Sequence, residues 1–66
     1  MILRNPKDVY TRQEVESVLE KAQGYEMAKP VVGSILDRMN LQHTDKIPKS
    51  SLNNTEYEIL DWLLYS

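Results

Sequence analysis

The sequence predicts an all-α fold: three helices around one small core, an N-terminal arm, and a long loop before the last helix. Two observations mark where helices begin. Thr11-x-x-Glu14 and Asn53-x-x-Glu56 are capping-box patterns, in which the cap side chain and the acidic residue satisfy each other's backbone amides. A third observation is periodicity: apolar residues return at helical spacing after Thr11, after Pro30 and after Asn53.

Residues 1–10 read as an arm. Pro6 breaks any helix and biases Asn5 towards extended geometry. Ile2 and Leu3 are candidates to dock as a short strand or tether, or to reach a partner. The first helix is expected at about 12–23. Tyr10 before the cap and Val15 after it match a hydrophobic staple, and Val15, Val18, Leu19 and Ala22 form one stripe. Gly24 follows, as a residue able to end the helix in the left-handed conformation.

Tyr25 and Met27 fall in the next connection and are expected to be partly buried. Pro30 suits the first position of a second helix, expected at about 30–40, with Asn40 serving as its end. Val31, Val32, Ile35, Leu36 and Met39 give its stripe. Gly33 inside it reads either as a tolerated surface glycine or as a close approach of another backbone. Residues 41–52 are polar and long for a helix connection, with Leu41, Ile47 and Leu52 expected to pin them to the core. A tiny hairpin with Thr44 and Asp45 at its tip would fit there, but the alternation is poor.

The third helix is expected at about 54–65, stapled by Leu52 and Tyr57. The expected core is Val15, Val18, Leu19, Ala22, Val31, Ile35, Leu36, Met39, Tyr57, Leu60 and Leu64. Advancing about 100° per residue, Tyr57, Leu60 and Leu64 share one side of the last helix, and Leu63, Ile59 and Trp62 extend the apolar arc past half the circumference. Only Glu58, Asp61 and Tyr65 make a polar strip, and Glu56 interrupts the apolar side. A surface helix needs an apolar stripe of only about 100° or somewhat more. Either this helix is central, or Ile59, Trp62 and Leu63 face another protein, with Glu58, Asp61 and Tyr65 as a polar rim.

Composition narrows the function. A single domain of 66 residues buries only about 60% of its unfolded surface. With no cysteine and only His43 as histidine, neither a disulfide nor a structural zinc site can staple it. Neither a metal nor a cofactor is expected, and association is the support that remains. No stretch approaches the roughly 18 apolar residues of a membrane span, and the residues after Leu3 do not continue as a signal peptide. A cytoplasmic protein with no membrane partner is expected.

His43, Asp45, Ser50 and Ser51 supply the residue types of a hydrolytic triad, but without a nucleophile elbow or rigid frame they read as loop residues. Glu58 and Asp61 share a face but lie on the solvated strip, so no catalytic residue is assigned and no enzyme is expected. Asn53-Asn54-Thr55 fits a glycosylation acceptor, and a helix cap explains it better. The net charge of −2, with no basic residue after Lys49, offers no broad cationic surface.

The leading expectation is a small non-catalytic regulatory or adaptor protein acting by protein–protein contact, as an inhibitor of a larger target or as a homodimer through the last helix. The alternative is a helix-turn-helix-like DNA-binding regulator using Arg4, Lys7, Lys29, Ser34 and Arg38. It rests on element count alone, which does not license function.

Overall fold

A computed structural model describes residues 8–65 of the protein. The order of elements is β1 (Val9–Thr11), α1 (Arg12–Ala22), α2 (Ala28–Leu41), β2 (Lys46–Pro48), a 3-10 turn (Lys49–Ser51) and α3 (Asn54–Leu64). The expected all-α class is therefore too narrow: the fold is mostly helical, with three helices, and carries a small two-stranded antiparallel sheet. Ile2, Leu3, Arg4 and Lys7 lie outside the described residues.

The sheet replaces the hairpin considered for residues 41–52. Val9 pairs with Pro48, Tyr10 with Ile47 and Thr11 with Lys46. Flanking bonds run from the Lys49 amide to the Asp8 carbonyl at 2.7 Å and from the Arg12 amide to the Asp45 carbonyl at 2.7 Å. These bonded positions alternate along the ladder, so Pro48 falls where an amide would point outwards and its missing donor costs nothing. Tyr10 and Ile47 stand opposite each other on the inner face and are both fully buried, whereas Val9, Lys46 and Pro48 face solvent. Burying two such side chains contributes about 1.5–3 kcal/mol each.

Both capping boxes form. The Glu14 amide donates to Thr11 Oγ1 at 3.2 Å, and the Thr11 amide donates to Glu14 Oε1 at 3.0 Å. The Glu56 amide donates to Asn53 Oδ1 at 2.8 Å, and the Asn53 amide to Glu56 Oε1 at 2.9 Å. α1 ends without help from a left-handed glycine: Gln23 continues in right-handed geometry and no glycine has a positive φ. Instead the Tyr25 amide reaches the Ala22 carbonyl at 2.9 Å, and the Tyr25 carbonyl accepts from Ala28 and Lys29. The connection is thus a chain of tight turns leading directly into α2.

α2 starts two residues before Pro30, which remains inside the first turn, where helix amides have no partner anyway. At its other end α2 passes Asn40 and closes at Gln42, with His43 in the left-handed region at φ 52°. His43 donates to the Asn40 carbonyl at 3.2 Å and Thr44 to the Met39 carbonyl at 3.1 Å, a Schellman closure with histidine where glycine is favoured. Gly33 has open space where a Cβ would stand, so it serves no close backbone approach.

The core comprises Tyr10, Val15, Val18, Ala22, Ala28, Val32, Ile35, Met39, Ile47, Leu60 and Leu63. Leu19, Val31, Leu36 and Leu64, expected in it, pack at its edge only partly buried, as does Leu52. Tyr57 is half-buried, its ring under the Lys49 ammonium at 4.4 Å. Leu41 is not a pin at all, being 82% exposed at the end of α2.

Glu56, the residue that interrupts the apolar side of α3, is buried and satisfied. Beyond its capping bonds it pairs with Arg38 on α2, which also donates to the Ser51 carbonyl at 2.8 Å. A buried carboxylate needs such partners to offset its desolvation.

Candidate protein-binding face

α3 presents two sides. Leu60 and Leu63 enter the core, and Lys21 on α1 donates to the Leu63 carbonyl at 2.9 Å. That lysine supplies the C-terminal cation that α3 itself lacks in its last turn. Trp62 turns the other way and is 50% exposed. Its ring meets Tyr25 edge-on, with centroids 5.0 Å apart and planes at 66°, the arrangement ring quadrupoles favour.

Around this pair lies an open groove of about 500 Å³ lined by Tyr25, Glu26, Met27, Ala28, Ile59 and Trp62. Met27 is 89% exposed on its rim, whereas Ala28 is buried at its floor. One helical turn further along both helices, a second hollow of about 280 Å³ is lined by Pro30, Val31 and Ser34 from α2, by Thr55 and Glu56 from α3, and by its cap Asn53. Short side chains, at Ala28 in the first and at Ser34 and Thr55 in the second, leave these two hollows unfilled, a two-part furrow beside α3.

The residues expected at an interface divide. Trp62 and Ile59 line the groove, with Ile59 half-buried. Leu63 does not join them: at 1% exposure it belongs to the core. Glu58 and Tyr65 are exposed and Asp61 is half-buried. The expectation that Tyr25 and Met27 are partly buried is corrected for Met27, which is almost fully exposed, whereas Tyr25 at 47% exposure covers about half its surface, part of it against Trp62. They belong to the groove, and reasoning from the sequence missed them there. Their only signal was negative: apolar residues in a turn, outside any helical stripe.

Among the described residues of the DNA-binding alternative, Arg38, Lys29 and Ser34 do not form one free cationic face. Arg38 is held by Glu56 and the Ser51 carbonyl. Lys29 and Ser34 are exposed but lie about 140° apart around α2 at the helical advance per residue. Arg4 and Lys7 lie outside the described residues.

Of the triad types, Asp45 is engaged by Arg12 Nε at 3.0 Å, and His43 shapes the end of α2. Among the described residues no cluster of His, Cys, Asp or Glu is arranged to hold a metal, and no helix is long and apolar enough to cross a membrane. A separate hollow of about 580 Å³ beside Asp8, Lys49, Ser50, Leu52, Asn54 and Tyr57 mixes polar and apolar lining and exposes no comparable hydrophobic side chain. No family model, curated protein or solved structure matches the chain.

Proposed function

We propose that this chain is a small non-catalytic regulatory or adaptor protein that acts by binding another protein through the groove between α2 and α3. The observation that carries this reading is the juxtaposition of Met27, 89% exposed, and Trp62, 50% exposed, on one apolar rim. Scattered single hydrophobes on a surface are ordinary, but a contiguous patch containing an aromatic pair is what association sites use. A domain without disulfides gains most from covering such a patch, because partner binding adds directly to its stability. Occlusion of a site on a larger target, as an inhibitor, is the mode that suits a domain of this size, and a second copy is the competing occupant.

The test is a matched capture from the native host with wild type, a Trp62→Ala/Met27→Ala double variant and a Lys46→Ala control on the opposite end. The double variant is expected to keep its circular dichroism and lose a partner that the control retains. A partner set identical for all three proteins, or unfolding of the double variant accompanied by unfolding of Trp62→Ala alone, defeats the proposal.

A further inference from the structure

The chemistry of the occupant follows from the shape and charge of the furrow, given the reading that this face binds protein. From Trp62 to Thr55 the furrow follows α3 for about 10 Å, two helical turns. Two hollows at that spacing suit an amphipathic helix with anchors at i, i+3 or i+4, and i+7.

Its margin is one-signed. Glu26 lines the groove, and Glu58 stands exposed beside Ile59, one turn before Trp62. Neither makes an ion pair among the described residues. The nearby cations are committed or turned away. Arg38 is paired with Glu56, and Lys21 keeps its charge but reaches from α1 to the Leu63 carbonyl and lines neither hollow. Lys29 lies about 100° round α2 from Ala28, on the flank opposite Met27 and Val31. The geometry points to an amphipathic helix of a partner protein whose apolar face is flanked by lysine or arginine.

Trp62 is the sole tryptophan, so its emission reports occupancy directly. The probes are two designed amphipathic peptides of about 16 residues, long enough to hold a helix. They share one leucine face, lack tryptophan and tyrosine, and carry lysine flanks in one and glutamate flanks in the other. At about 50 mM salt the lysine peptide is expected to shift Trp62 emission to the blue and to bind at least about fivefold tighter than the glutamate peptide. At about 0.5 M salt the gap should narrow to under about twofold. A Glu26→Lys/Glu58→Lys variant should reverse the order.

Equal affinity for both peptides, abolished by Met27→Ala/Ile59→Ala, overturns the cationic flank while leaving the groove as a binding face. Absence of peptide binding with concentration-dependent mass overturns the helical partner in favour of a second copy. Binding unchanged by Met27→Ala/Ile59→Ala, or neither binding nor self-association, overturns both this inference and the reading beneath it.

Discussion

At its C-terminus α2 is closed by the Schellman bonds of His43 and Thr44 and by a cation from another helix. Arg12 donates to Asp45 at 3.0 Å, to the Thr44 carbonyl at 2.8 Å and to the Asn40 side chain. At its N-terminus the cap position is held by Met27, which makes no side-chain capping bond and leaves its thioether in solvent. Arg12 opens α1, the wrong end of its own helix for a positive charge, so its value lies in the end of α2 it faces. The difference teaches where this domain places stability and where it leaves surface unspent. One end is finished by internal partners, and the other keeps apolar area open to solvent.

The sharpest way to break that contrast lies within α3, two residues apart. Leu60→Ala opens a cavity in the core and should cost about 2–5 kcal/mol, enough to abolish a cooperative urea transition in so small a domain. Trp62→Ala, trimming a half-exposed ring, should cost about 1–2 kcal/mol and leave the cooperative transition in place. Equal losses would mean that the groove face is structural after all. At the finished end, Arg12→Ala removes three hydrogen bonds that are partly exposed, and should lower stability by about 1–2 kcal/mol without altering Trp62 emission. A change in that emission would show that the two ends are not independent.

How much of this was legible in the sequence follows from the range of each interaction. Both caps were readable, because Thr11 with Glu14 and Asn53 with Glu56 bond within one turn. The sheet was not, because its strands are three residues long and its partners meet only after two helices have formed between them. Tyr10 and Ile47 were visible singly, as a staple and a pin, and their pairing was invisible. On α3 the width of the apolar arc was evident but its orientation was not: Glu56 interrupted the apolar side with no visible partner, and the salt bridge to Arg38 that lets it lie inside, on the same side as Leu63, spans two helices.

Two smaller changes sharpen the comparison along α2 itself. His43→Gly relieves a left-handed residue and should raise stability by about 1 kcal/mol in thermal unfolding. Gly33→Ala, with free space around the added methyl, should raise it by about 0.5–1 kcal/mol. If His43→Gly instead destabilises, the imidazole contributes a contact at the finished end that outweighs its backbone strain.

The pairing of Tyr10 with Ile47 carries a kinetic consequence. Because this link encloses α1 and α2, the chain must close a wide ring before the ladder returns any free energy, which slows barrier crossing relative to a plain helical bundle. On the ribosome, both helices can nucleate early, yet the ring cannot shut until the segment after Asp45 has left the exit tunnel. Refolding rates should therefore respond to changes at Ile47 more than at Val9, a solvent-facing position on the other strand.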